Sequence, residues 1–267
     1  MLDLIDIGIN LTHDTYDKDR DTVITDAAAV GVSRMIITGT SVTASARALE
    51  LCLAHPDVLY ATAGIHPHHA AEFDIHSIEA LSRLLKSDSV VAVGECGLDY
   101  FRHFSNPADQ LKAFEAQLEL AVAARLPVFL HQRDAHEDML RLLRLHREGL
   151  SGGVAHCFTG DAEQLAAYVD LDLYVGITGW ICDERRGEKL RQAVAGLPLD
   201  RLLLETDGPY LLPRDLDPPP QHRRNEPRFL PHIAGRLGQI LGMSAEDIAE
   251  AATANAQRLF SLKPPGS

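Results

Sequence analysis

Eight short apolar runs recur along this chain, most of them closed by glycine, proline, asparagine, aspartate or threonine. They occupy residues 4–10, 34–40, 58–67, 90–97, 126–134, 152–160, 173–180 and 201–209. Runs of this length bounded by turn residues read as buried strands. The intervals between them are long enough for helices, and several carry helical signals. In "SNPADQLKAFEAQLELAVAA", Ser105 is placed as an N-cap, Pro107 falls in the first turn, and Leu111, Phe114, Leu118 and Val122 make one apolar face. "TGDAEQLAAYV" and "ERRGEKLRQAVAGL" read similarly. Eight alternations of strand and helix predict an α/β fold, a closed parallel (β/α)8 TIM barrel. The competing open, doubly wound sheet would show a glycine-rich phosphate loop after its first strand, and "DIGINLTH" is not GxGxxG.

The length of 267 residues suits one such barrel, so a single domain over 1–267 is expected. The proline- and charge-rich stretch 213–231 is expected to be an ordered loop over the barrel mouth, since too little chain follows for a second domain. "SAEDIAEAATANAQRLF" gives a closing helix, with Ser244 and Asp247 as a capping box and Arg258 near its end to suit the helix dipole. Residues 261–267 are expected to fray. No run is long and apolar enough to span a membrane, and the N-terminus lacks a signal-peptide pattern. The four cysteines are scattered without a CxxC, as expected of reduced thiols in a cytoplasmic protein. A net charge of −13 argues against a broad basic face for duplex DNA. It leaves room for a phosphate substrate, because divalent cations reverse the sign inside one cleft.

All strands of a parallel barrel end at one face, so polar residues at strand ends converge. Here those ends carry His66, His68, Glu95, His131, His156, Glu205 and Asp207, all metal-ligand types. Singly, each reads equally well as a hydrogen-bonded core residue. Together, Glu95, His131, His156 and Asp207 point to a cation that offsets the cost of burying carboxylates. Cys96 and Cys157 each neighbour one of these residues, and strand alternation is expected to turn both thiols away.

"GIHPH", "GECGLDY", "HQRDA", "HCFTG" and "ETDGPYL" occur in this order over most of the barrel, with "RRNEP" at 223–227. The ordered set resembles the TatD family of metal-dependent deoxyribonucleases among the amidohydrolase-like barrels. Many members of that family begin with Asp-x-His-x-His, whose histidines bind metal. Here "DIGIN" keeps Asp6 but places Gly8 and Asn10 at the histidine positions, as is usual in the TatD subgroup. His13 lies past the strand and is not counted as a replacement.

The resemblance implies 3′→5′ exonuclease action on single-stranded DNA, and on RNA, releasing 5′-mononucleotides from free 3′ ends. Glu95, His131 and His156 are assigned as metal ligands, with Glu95 a candidate bridge between two ions. Asp207 is a ligand or the general base. His66 contacts the scissile phosphate or assists the leaving oxygen. Arg133 is a phosphate contact or part of a structural ion pair. Losing two imidazoles enriches the site in oxygen donors, which favours Mg2+ or Mn2+ over a tight zinc pair. One or two ions are expected, one of them weak and completed by substrate phosphate. Among aromatics near the mouth (Tyr100, Phe101, Phe158, Trp180, Tyr210), Tyr100 or Phe101 is favoured for stacking on bases. A monomer without membrane partners is expected. Two other readings use the same residues: a small-molecule amidohydrolase or phosphoesterase, and a non-catalytic metal-binding scaffold. The missing first-strand histidines, and the absence of a lysine ending strand four or five, count against the first. Retention of Glu95, His131, His156 and Asp207 counts against the second.

Overall fold

The structure is a computed structural model and describes residues 2–262. Eight parallel strands form one sheet in sequential order: β1 (Leu4–Ile9), β2 (Val32–Ile37), β3 (Leu59–Ala63), β4 (Val90–Asp99), β5 (Val128–Arg133), β6 (Gly153–Ala155), β7 (Tyr174–Ile177) and β8 (Leu202–Leu204). The ends meet through the Asp207 N–H to Gly8 O and Asn10 N–H to Gly208 O bonds, both 2.8 Å, which bring β1 beside the chain leaving β8. The predicted barrel is therefore the observed fold, and each of the eight apolar runs overlaps one strand.

Helices α1 (Arg20–Ala29), α2 (Val42–Ala54), α3 (Ile75–Leu84), α4 (Pro107–Ala124), α5 (His136–His146), α6 (Ala162–Asp170), α7 (Glu188–Val194), α8 (Leu230–Leu241) and α9 (Ala245–Phe260) follow or separate the strands. Most of the core lies between sheet and helices, where Phe114 and Leu118 of α4 are fully buried. A second cluster joins Ile5, Ile36, Val91, Phe129, Val154 and Leu203 from around the ring, so these side chains fill the barrel interior. Phe260 and Leu262 complete that cluster from the C-terminal end of the chain.

Three local expectations are corrected. The N-cap of α4 is Asn106, whose side chain accepts the Asp109 N–H; Ser105 instead bonds Ala71 N and His68 O and ties two loops together. Strand β4 extends two residues beyond its predicted run, to Asp99. Of the expected tail, residues 263–267 lie outside the described residues, whereas Leu262 is buried and its N–H reaches Gln257 O, so packing outlasts the last helical turn. The capping box of Ser244 and Asp247 is present as expected.

The proline-rich loop is ordered by its own polar residues. Arg224 bonds Asp19 (2.6 and 2.9 Å), Glu226 (2.7 Å) and Thr15 O (2.7 Å). Asn225, fully buried, donates to Thr206 O, and its carbonyl accepts the Tyr16 hydroxyl at 2.6 Å. The "RRNEP" segment thus clamps the end of β8 to the β1–α1 connection. Among the described residues, no helix is long and apolar enough to cross a membrane, and all four cysteines are free.

Candidate metal centre

Glu95 owes its position to a bulge. The pairing of β4 with β5 slips by one residue between Gly94 and Cys96, leaving Glu95 as the extra residue, and bulges of this kind re-aim a side chain. The flanking glycines are needed for close approach. Both have φ of +142°, and a Cβ would lie 2.2 Å from Phe129 O at Gly94 and 2.0 Å from His131 O at Gly97. Strand β5 is thereby drawn against the bulge. Cys96, the next residue, turns away into the core as alternation predicts.

Three imidazoles surround the Glu95 carboxylate. Its Oε1 lies 2.8 Å from His131 Nδ1, 3.4 Å from His66 Nε2 and 3.7 Å from His156 Nε2. His156 Nε2 is also 3.9 Å from Asp207 Oδ1. Two groups of potential ligand atoms result, His66–Glu95–His131 and His156–Cys157–Asp207, each with its atoms within 4.8 Å of one another. Glu95 lies between them. Arg133 stands apart: it is exposed, stacks 4.0 Å over the Phe101 ring, and makes no ion pair among the described residues. His13 caps a short turn through Nδ1, touches the Tyr210 ring, and belongs to neither group.

Hydrogen bonds fix which ring nitrogens are free. His156 Nδ1 is 2.5 Å from Glu205 Oε2, so it carries the proton donated to that carboxylate and leaves Nε2 toward Glu95 and Asp207. His66 is the reverse case. Its Nδ1 accepts the His68 N–H at 3.1 Å, which puts the proton of the neutral ring on Nε2. His131 Nε2 is buried with no hydrogen-bond partner, 3.5 Å from Asp99 Oδ2. Asp99 also receives His68 Nε2 and the N–H groups of Phe101 and Arg102.

The electrostatics of these groups are coupled. Burial lowers the His66 pKa to about 4. Burial acts the same way on His156, but Glu205, Glu95 and Asp207 outweigh it and raise that ring to about 10. His131, likewise raised against its burial, reaches about 9 through Asp99 and Glu95. Glu95 is held well below the usual carboxylate range despite burial, chiefly by His66 and His156. Asp207 is pushed up to about 7 by burial. Protons on two imidazoles therefore compensate a set of buried acids. Buried carboxylates that need a cationic neighbour, set among imidazole nitrogens in two clusters of ligand type, are what a divalent cation would satisfy, so the residues fit one.

Two features were not read from the sequence. Cys157 does not turn away: β6 ends at Ala155, and Cys157 has φ of +47°, so strand alternation does not reach it and its Sγ joins the His156–Asp207 group. Burial and the carboxylates of Asp207 and Glu205 keep it a thiol, with a pKa well above the usual range.

The second feature is the reason for Gly8. Glu205 is fully buried and occupies the space a side chain at position 8 would need: a Gly8 Cβ would lie 2.4 Å from Glu205 Oε2. Glycine at position 176 gives the same carboxylate room on its other side, and its Oε1 accepts the Cys157 N–H at 2.6 Å. A small residue facing a strand-end acid was the available signal. Asn10 is also accounted for, since its amide donates to Asp207 Oδ1 at 3.0 Å and to Gly208 O.

The sequence pattern of the family described as "TatD related DNase" matches residues 5–261. The chain belongs to this family. A curated relative from Erwinia tasmaniensis, named 3′-5′ ssDNA/RNA exonuclease TatD, is 51% identical over 259 residues, covering 97% of this chain and all of the relative. Another of the same name, from Edwardsiella piscicida, is 52% identical with the same coverage. The crystal structure of the TatD homologue YJJV from Escherichia coli K12 superposes with a TM-score of 0.89, at 31% identity, covering 97% of this chain and 98% of that one.

Proposed function

We propose that this TatD-family protein is a metal-dependent 3′→5′ exonuclease that hydrolyses phosphodiester bonds of single-stranded DNA and RNA to 5′-mononucleotides. The observation that carries the reading is the placement of Glu95 Oε1 among three imidazoles beside Asp207. The names of relatives at about half identity over nearly the whole chain supply the substrate.

Glu95, His131, His156 and Asp207 would hold one or two ions, with Glu95 shared between the two groups of donors. A divalent cation supplies positive charge against the phosphate and a water nucleophilic at neutral pH. The metal we assign is Mg2+, or Mn2+, because the donors of Glu95, His131, His156 and Asp207 are carboxylate and imidazole. Asp207, whose carboxyl pKa is raised by burial in the metal-free site, would accept the water's proton. Asn10 holds that carboxylate in place. His66, neutral with its proton on Nε2, donates to the phosphate or to the departing oxygen. Glu205 fixes the ring of His156, and Asp99 faces the outer nitrogen of His131.

A rim of exposed aromatic rings suits the single-strand preference. Phe101, Phe104 and Tyr210 are each at least half exposed, and unstacked bases bind such faces regardless of sequence. Tyr100 is engaged with Asp138 at 2.9 Å, so Phe101, under Arg133, is the better platform of the favoured pair. The test uses chelator-treated protein, added Mg2+, and oligonucleotides labelled at the 5′ end. A ladder shortening from the 3′ terminus, abolished by a 3′ block, is expected. Internal cleavage of the blocked strand, or activity with zinc alone, would overturn the assignment.

A further inference from the structure

A cavity of about 620 Å3 opens between the β7–α7 and β8–α8 connections, outside the metal centre. It is large enough for a ligand of nucleotide size. Its lining includes Trp180, Asp183, Arg186, Arg214, His222 and Arg223. In a chain with a net charge of −13, three arginines face one acid here. That acid is occupied: Asp183 is 3% exposed, 2.9 Å from Arg186 Nε and 3.2 Å from Arg214 Nε. Arg223 is exposed and makes no ion pair among the described residues.

Both walls of the cavity lead back along the chain to the candidate metal centre. One wall begins after Thr178, whose Oγ1 lies 3.9 Å from Cys157 Sγ, and Cys157 belongs to the His156–Asp207 group. The other begins at Leu211, four residues beyond Asp207. The walls are held in register. Gly179 packs so closely on Leu211 O that a Cβ there would lie 2.2 Å from it. Asp215 is fastened to α8 through His232 Nε2 at 2.7 Å. The Arg186 guanidinium lies 4.4 Å over the Trp180 ring, which orients the indole.

We propose that this cavity binds the part of a single strand lying 5′ of the scissile phosphate, with Trp180 stacking on a base and Arg214 and Arg223 meeting successive phosphates. The inference rests on the exonuclease reading. Its direction follows from counting phosphates: in a strand ending in a 3′ hydroxyl, the terminal nucleotide carries no phosphate beyond the scissile one. Every further phosphate lies upstream. A cluster of arginines beside the metal centre, and separate from it, has only the upstream strand to bind. The 3′-terminal nucleotide is left to the aromatic rim near β4, across the barrel.

Trp180 is the only tryptophan in the chain, so its fluorescence reports the cavity without any turnover. In chelator, a deoxy-hexanucleotide should quench or shift that emission, and a mononucleotide should not. Arg223→Ala should weaken hexanucleotide binding and lower the salt slope by about 0.7, the value for one phosphate contact on a single strand. With Mg2+, kcat/KM of the unsubstituted protein should rise along a series from dinucleoside monophosphate to hexanucleotide, and Arg223→Ala should flatten that rise. Circular dichroism of the variant excludes unfolding as the cause. Emission unmoved by the hexanucleotide, or a length dependence unchanged by Arg223→Ala, overturns the proposal while 3′→5′ cleavage stands. Absence of any oligonucleotide cleavage by the unsubstituted protein overturns the exonuclease reading itself.

Discussion

Replacing Gly8 by alanine adds one methyl group and should disable the centre from a position that holds no ligand. The new Cβ would lie 2.4 Å from Glu205 Oε2, and 3.2 Å from both His156 Nδ1 and Phe129 Cζ. The glutamate must give way, yet it is fully buried and bonded to His156 and to the Cys157 N–H. Breaking those two charge-assisted bonds costs about 1.5–3 kcal/mol each. Partial relaxation brings the expected loss to about 2–5 kcal/mol, or on the order of 5–15 °C in melting temperature for a chain of this size. His156 loses the partner that aims its ring, so metal affinity should fall about 10–100-fold. Thermal melts and metal titrations of Gly8→Ala, Glu205→Ala and the double variant measure both effects. Removing Glu205 removes the clash, so the two changes should couple by about 2 kcal/mol or more. Simple additivity, or a Gly8→Ala protein with unchanged melting and metal affinity, would refute the claim that Glu205 is why position 8 is glycine.

Other consequences can be measured in the same preparations. Asp207→Asn should lower the rate of mononucleotide release by about 10²–10⁴, the usual worth of a general base, with circular dichroism unchanged. Metal binding should release protons, because His131 and His156 hold them up to about 9 and 10 in the metal-free site. Apparent affinity should therefore rise with pH from neutral toward about 9 and level off above 10, and calorimetry in buffers of different ionisation enthalpy counts the protons. Arg224→Ala leaves Glu226, 2% exposed, without its closest cation. It should cost about 2–4 kcal/mol in denaturant unfolding, Arg228 retaining part of the interaction.

The barrel was legible because parallel strands buried on both faces write themselves as apolar runs, and closure makes every strand end converge. Glu95, His131, His156 and Asp207 could be gathered from that rule alone. The bulge was not legible. "VVAVGECGLDY" gives no sign that pairing continues past Gly94 with one residue left over, since the signal lies in the approach of the Phe129 and His131 carbonyls from another strand. Cys157 was misplaced for a related reason: alternation holds inside a strand, and β6 stops two residues earlier. Gly8 looked like a missing ligand when the sequence was considered one strand at a time. Only the packing of β1 against the end of β8 reveals a carboxylate in the space that glycine leaves. The arginines of the β7–β8 cavity were equally hidden, because net charge averages over a surface and says nothing about where cations collect.

Diffraction at the manganese edge, from crystals soaked in Mn2+ with a short oligonucleotide whose 3′-terminal linkage is a phosphorothioate, tests most directly whether Glu95 is shared by the metal ions. Anomalous peaks in contact with Glu95, one toward His131 and one toward His156 and Asp207, with the strand's last phosphate between them, are the predicted result. Peaks remote from Glu95, or a phosphate bound away from both histidines, would contradict it.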